Sequence, residues 1–160
     1  MYSLVDTNLW HFAYVKPKEG EFVKVHLQAR EFISSMLKNQ DINIAISTYQ
    51  IAEILEMLRR GGMSKVQRKI ISENFGLAKF KIMPLLNNHV VEAFQKSSIS
   101  NIHIYDYLVV IPVKEIVSKI YSADDHFQHE DFKAISEVIN PLSPWILREG
   151  RGPIIQNEDN

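Results

Sequence analysis

The sequence predicts one α/β domain, a mainly parallel sheet of four or five strands lying between layers of helices. Two patterns carry that expectation. Short runs of β-branched and aromatic residues alternate with longer runs whose apolar residues recur at helical spacing, so helices rather than tight turns separate successive strands. A chain of 160 residues is also long enough to bury about two-thirds of its unfolded surface around one core.

Taken in order, "YSLV" (2–5) is the first strand, "NLWHFAYV" (8–15) a short helix and "KPKEG" (16–20) a loop. Residues 21–38 place Phe22, Val25, Ala29, Phe32, Ile33 and Met36 on one helical stripe. "INIAIS" (42–47) is the second strand. Ser47 and Gln50 then stand at capping-box spacing before the stripe Ile51, Ile54, Leu55 and Leu58, and the helix ends at the Gly61–Gly62 pair. A polar helix is expected over 64–75, a third strand in "FKIMPL" (80–85), and helices over 88–97 and 102–111. "KIYSA" (119–123) is the fourth strand and "SEVINPL" (136–142) a fifth, at an edge. The domain is expected to span 1–147, with 148–160 as a tail.

The composition narrows the function. Apolar residues make up 46% and charged residues 23% of the chain, ordinary values for a globular protein. A net charge of -1 gives no global basic field, so any nucleic-acid contact must come from a local patch. The absence of cysteine excludes disulfides, thiol catalysis and zinc–thiolate sites. No segment approaches the ~18–20 consecutive apolar residues of a membrane span. Asp6 arrives too early for a signal peptide, and the expected location is cytoplasmic.

The chemistry lies in the acids. In a parallel α/β sheet, ligands sit beyond the carboxyl ends of the strands. Asp6 ends strand one and Asp124 follows strand four. Either residue alone would be read as a turn former or helix cap. Asp106 stands in "NIHIYDYLVVI", a helix apolar nearly all round and therefore buried. A lone carboxylate there costs on the order of several kcal/mol, so it is paired, protonated or bound to a cation. A helix cap or an Arg partner would be the purely structural answer. Glu53 and Glu56 share the side of their helix opposite the apolar stripe, and helical position does not choose between them. The dense segment "YSADDHFQHEDF" (121–132) offers adjacent Asp124 and Asp125, with His126 and His129 three apart. A zinc site on the two histidines needs a third ligand that the sequence does not place. Oxygen ligands are favoured, because acids recur at strand ends and histidines do not.

Together, "LVDTNLW", "ISTYQIAEIL", "IYDYLVV" and "IYSADDHF" follow the four-motif order of the PIN-domain nucleases, and the chain resembles their small VapC-type toxin ribonucleases over residues 2–142. The resemblance implies a PIN-like three-layer sandwich and a site built from Asp6, Glu53, Asp106 and Asp124. It selects Glu53 over Glu56, and Asp124 over Asp125, with Ser122 at the family's Thr position. Thr7 and Asn8 match the polar residues after the first Asp, where they would cap the helix and hold the carboxylate or a water. Two departures stand out: Pro112, which should kink the helix carrying Asp106, and Ala123, where the family often has Asn.

Four converging carboxylates repel one another unless a cation neutralises them, and hard oxygen ligands suit Mg²⁺ or Mn²⁺. The resemblance implies Asp6, Asp106 and Asp124 as metal ligands, with Glu53 orienting or deprotonating the attacking water. The activity implied is a metal-dependent endoribonuclease, the toxin of a toxin–antitoxin pair, acting on RNA, held by a small antitoxin protein and forming a homodimer. Alternatives are a housekeeping RNA-processing nuclease and a non-catalytic RNA-binding module. A haloacid-dehalogenase phosphatase needs a second Asp where Asn8 stands. Arg59, Arg60, Lys65, Arg68 and Lys69 cluster around Gly61–Gly62 as a candidate RNA contact, against the alternative of a solvated face. Tyr49, Tyr105 and Tyr107 are candidate stacking surfaces, against the alternative of core packing.

Overall fold

Helices separate the successive strands, so neighbouring strands can run parallel and the sheet can be covered on both faces. The computed structural model describes residues 1–17, 20–143, 145 and 146. Its elements are β1 (Tyr2–Val5), α1 (Thr7–Tyr14), α2 (Val23–Lys38), β2 (Asn43–Ser47), α3 (Thr48–Arg60), α4 (Lys65–Asn74), β3 (Phe80–Met83), α5 (Asn87–Ser100), α6 (Ile104–Val110), β4 (Val117–Tyr121), α7 (Glu130–Lys133) and β5 (Glu137–Ile139). The strands form one sheet in the order β3-β2-β1-β4-β5, and each neighbouring pair is parallel. The expected strands are all present, with the fifth at an edge. The expected tail lies outside the described residues. Among the described residues, no helix is long and apolar enough to cross a membrane.

Several boundaries differ from expectation for identifiable reasons. β4 occupies 117–121 rather than 119–123, because Ser122 and Ala123 have already left the ladder to build the turn that carries Asp124. The helix expected from residue 21 opens as a 3-10 turn, Gly20–Phe22, before α2 begins. At Pro112 the outcome is a change of helix type rather than a kink. α6 stops at Val110 and Ile111–Val113 continue as a 3-10 turn, which tolerates the missing proline N–H.

Side-chain alternation along the strands divides the core in two. Leu4, Ala45 and Ile120 face a cluster with Tyr107, Val110 and Phe132. Val5, Ile44 and Ile46 face the other, with Leu9, Trp10, Ile54 and Leu58. These are the two helical layers of a three-layer sandwich. The Ser47 hydroxyl caps α3 by accepting from Gln50 N–H at 3.0 Å. The buried Gln50 side chain does not close the expected box. It donates instead to the Val5 carbonyl at 2.7 Å, the same oxygen that accepts from Trp10 Nε1 at 3.1 Å. Both helical neighbours of β1 are thus tied to its last residue, immediately before Asp6.

The turn after α3 depends on a close approach. A Cβ on Gly61 would lie 2.5 Å from Val15 Cγ2 and 2.9 Å from Val15 Cγ1, and Gly62 has φ +86. Val15 is β-branched and stiff at χ1, so the end of α1 must move to admit a methyl group. Gly61→Ala is expected to cost about 1–3 kcal/mol through overpacking. Gly20→Ala, which meets nothing within 4 Å, is the control and should stay within about 0.5 kcal/mol of the parent. Urea unfolding midpoints of the two variants check this, and equal midpoints would refute the packing argument.

Candidate active site

The chain passes from β1 outward to β2 and β3, then returns to place β4 on the other side of β1. This reversal opens a crevice beyond the carboxyl ends of β1 and β4, where α/β sheets bind ligands. Asp6 and Asp124 stand there because each follows one of those strands. A pocket of about 680 Å³ opens at this point, and Asp6, Thr7, Glu53, Asp106 and Asp124 all contribute to its wall.

Asp6 is only 5% exposed. Its backbone N–H donates to the Tyr121 carbonyl at 2.8 Å, extending the β1–β4 pairing by one residue. Its Oδ1 accepts from Thr7 N–H at 2.7 Å at the start of α1, and its Oδ2 accepts from the Ser122 hydroxyl at 2.7 Å. Ser122 Oγ in turn accepts from Asp124 N–H at 3.0 Å, linking the two strand-end acids through one hydroxyl. Burial raises the Asp6 pKa well above the ordinary 3.8; the Ser122 hydrogen bond opposes this, and the charges of Asp124, Asp106 and Glu53 add to it.

Glu53 is held by two hydroxyls. Thr7 Oγ1 donates to Oε2 at 2.6 Å and the Tyr49 hydroxyl donates to Oε1 at 3.3 Å. Glu56 lines the same pocket but is engaged differently, accepting from Arg59 Nε and Nη2 at 2.7 Å and from Arg60 Nε at 3.0 Å. Those bonds to Arg59 and Arg60 lower its pKa to about 2. Asn8 also lines the pocket, and its Oδ1 is buried without a hydrogen-bond partner among the described residues.

Asp106 sits in the first turn of α6, 5% exposed and followed by buried Tyr107, Leu108, Val109 and Val110. His126 Nδ1 lies 3.1 Å from Asp106 Oδ2 and 3.8 Å from Asp124 Oδ1. Asp124, 7% exposed, caps the 3-10 turn Asp125–Gln128 by accepting from His126 N–H at 3.0 Å. Asp106, Asp124 and His126 each offer one ligand atom, and these atoms lie within 4.8 Å of one another, a geometry that can hold a metal ion. The hydrogen bond to Asp106 raises the His126 pKa above 6.5; partial burial lowers it, and the charges of Asp124, Asp106 and Asp125 raise it further.

His126 is the residue that spacing misjudges. Paired with His129 as i, i+3, it suggests a zinc site, but the segment is not one helix. His129 Nδ1 instead accepts from Asp131 N–H at 3.2 Å, capping α7. The usable signal is that His126 follows two aspartates directly after a strand. Of the basic set, Arg60 lines the pocket, while Arg59, Lys65 and Arg68 are not among its described lining residues. Of the aromatic set, Tyr49 and Tyr105 line it. Tyr107 does not serve as a stacking surface: it is fully buried, and its hydroxyl donates to Asp131 Oδ2 at 2.7 Å.

No family model and no curated protein sequence matches the chain. Solved structures do. The chain is similar to VapBC2 from Rickettsia felis bound to a DNA fragment from their promoter, with 16% identity, 88% of this chain and 98% of that chain covered, and a TM-score of 0.55. It is similar to Mycobacterium tuberculosis VapC20, a Sarcin-Ricin loop cleaving toxin, with 16% identity, coverage of 79% and 92%, and a TM-score of 0.58. FitAcB from Neisseria gonorrhoeae matches with 16% identity, coverage of 88% and 99%, and a TM-score of 0.54. Identities this low speak for the fold. The parallel five-stranded sheet, its flanking helices and these likenesses together give the chain the PIN-like fold of the VapC structures.

Proposed function

We propose that the chain is a metal-dependent endoribonuclease that hydrolyses RNA phosphodiester bonds, and that it is the toxin of a toxin–antitoxin pair. The observation that carries this reading is the convergence of Asp106, Asp124 and His126 within ligand distance, at the pocket that Asp6, Glu53, Asp106 and Asp124 line together. The likeness to VapC20, named for cleaving the Sarcin-Ricin loop, supports an RNA substrate. The likeness to VapBC2 supports a small antitoxin as partner. A homodimer and a cytoplasmic location belong to the same reading.

The residues present fit a divalent cation. Carboxylates with room for water suit Mg²⁺ or Mn²⁺, and the neutral imidazole of His126 is a donor that Mn²⁺ accepts more readily. The buried Asn8 Oδ1 is an acceptor suited to a water in the pocket. Asp106 and Asp124, with His126, are the donors that lie within ligand distance of one another, and Asp6, in the same pocket, is a third carboxylate. When bound, the ion neutralises the acids and polarises both the phosphate and the attacking water.

The chain's own groups supply the rest. Glu53, oriented by the Thr7 and Tyr49 hydroxyls, accepts the proton of the attacking water. The water oxygen bonds to phosphorus, the bond from phosphorus to the 3′ oxygen breaks, and that oxygen takes up a proton from solvent while Glu53 returns its own to solvent. The products are a 5′-phosphate and a 3′-hydroxyl. Ser122 and Thr7 N–H keep Asp6 aimed, so its geometry survives the mutual repulsion of the acids.

Replacing Asp106 with asparagine separates this role from a structural one. Asp106→Asn keeps the shape and removes a charge, so cleavage of RNA in Mn²⁺ should fall at least about a hundredfold, ~2.7 kcal/mol in barrier terms. In EDTA the variant should melt at or above the parent temperature, because repulsion is relieved. A purely structural Asp106 predicts the reverse, a loss of about 3–5 kcal/mol in stability with cleavage retained.

The raised pKa values give a second expectation, with a definite sign. Asp6 holds its proton in the folded chain above the pH at which the unfolded chain releases it. Its contribution to stability is complete below about pH 4 and is lost as pH rises through the native value. His126, also raised, contributes below about pH 6.5 and loses that contribution as pH rises through its native value. The melting temperature in EDTA should therefore decline from about pH 5 to about pH 8, and Asp6→Asn should flatten the acidic part of the decline. Mn²⁺ added at neutral pH should restore it. A melting temperature that climbs across this range, or ignores Mn²⁺, would remove the crowded-acid account.

A further inference from the structure

One face of α3 forms a rail along the pocket. Tyr49, Glu53, Glu56, Met57 and Arg60 recur at helical spacing and all line it, over roughly 16 Å of helix at 1.5 Å per residue. Glu53 lies within the rail, so the groove wall extends past that carboxylate in both directions. On the Tyr49 side, the ring of Tyr105 lies parallel to that of Tyr49, with centroids 6.4 Å apart and planes 4° apart. Tyr105 is 53% exposed, although its helix is otherwise mostly buried. Tyr49 is anchored through its hydroxyl to Glu53, which fixes the pair one helical turn from that carboxylate. Phe12 and Phe22 also line the groove, as a second parallel pair with centroids 6.5 Å apart and planes 9° apart.

We infer that Tyr105, backed by Tyr49, is the stacking platform for one unpaired base beside the scissile phosphate. The inference rests on the endoribonuclease reading and names a residue that binds its substrate. Electrostatics force the point. A pocket walled by Asp6, Glu53, Asp106 and Asp124 repels a phosphate backbone, and the guanidinium on its wall, Arg60, is already bonded to Glu56. Affinity must therefore come from the bases as well as the ion, and an exposed aromatic face is the group that binds any base by its π-surface. Bases in a duplex already stack on one another and cannot reach such a face, whereas loops and single strands can. The same logic predicts a shallow salt dependence, because few phosphate counterions are released.

The test measures binding in Ca²⁺, and separately cleavage in Mn²⁺, with a labelled pool of short unpaired oligoribonucleotides and a hairpin duplex of the same length. Tyr105→Ala should weaken binding of the unpaired pool about tenfold, within the range of a lost base stack, while leaving the melting temperature unchanged. Tyr105→Phe should bind as the parent does, because it keeps the ring. A strand with an abasic ribose next to the mapped cut should bind the parent about tenfold more weakly, and Tyr105→Ala no more weakly than the intact strand. Parent-like binding by Tyr105→Ala, or equal abasic losses in parent and variant, would overturn the platform, as would parental preference for the duplex. The two readings fail separately. Tyr105-dependent binding without cleavage in Mn²⁺ would leave the platform standing and refute the nuclease. Normal cleavage by Tyr105→Ala at unchanged KM would do the opposite.

Discussion

Burial of a carboxylate cluster at the mouth of a parallel sheet is the constraint on which the rest of this structure turns. Asp6 is almost wholly removed from water and lies near three other acids that raise its pKa. Such a group survives in the fold only if its surroundings satisfy it, and they do. The β1–β4 ladder runs one residue past the strands, so that Asp6 N–H meets Tyr121 O and Ser122 falls within reach of the carboxylate. Gln50 from α3 and Trp10 from α1 both grip the carbonyl of Val5, fixing the backbone from which Asp6 projects. The start of α1 contributes the Thr7 N–H, and a helix N-terminus favours negative charge.

The partners chosen by the acids differ by location, and the difference separates scaffolding from chemistry. Outside the cluster of Asp6, Glu53, Asp106 and Asp124, acids meet cations: Glu92 takes Lys114 at 2.7 Å, Asp131 takes Lys96 at 3.2 Å, and Glu56, on the pocket wall, takes Arg59 and Arg60. Within it, the bonds shown to Asp6, Glu53, Asp106 and Asp124 come from hydroxyls, backbone N–H groups and one imidazole. Neutral donors orient a carboxylate without discharging it. Exposed pairs such as Glu56–Arg59 add little stability in any case, so their effect here is to define the rim.

Element order was legible in the sequence because each strand and helix announces itself by period, and the parallel sheet follows from their alternation. Asp6 and Asp124 were legible as strand-end acids, and Asp106 as a carboxylate with no apolar excuse. Glu53 was not, since helical spacing puts it beside Glu56. Arg59 and Arg60, three and four residues beyond Glu56, in fact mark that residue as the ion-paired one, a local signal of the i, i+3 and i, i+4 kind. His126 was hidden by its apparent partner: a single helix would align it with His129, but the chain makes a 3-10 turn and then a separate short helix. Tyr105 and Tyr107 look equivalent in sequence, and only packing shows that one faces the groove while the other is buried and bonds Asp131.

The two halves of the core explain why these groups form a site only as a set. Asp106 comes from α6, packed on one face of the sheet with Tyr107 and Val110, whereas Leu9, Trp10, Ile54 and Leu58 hold α1 and α3 on the other. Thr7 and Glu53 depend on the second layer, Asp106 on the first, and Asp6 and Asp124 on the sheet between them. Loss of packing on either face therefore withdraws some of the acids and leaves others behind, rather than moving the pocket as a unit. The electrostatic consequence runs back to the fold. Repulsion among the acids works against the approach of the two layers, and an ion held by Asp106 from one layer and Asp124 from the sheet edge would offset it. Binding to the native arrangement alone stabilises that arrangement by mass action, so chemistry and cohesion would share the same few ligand atoms.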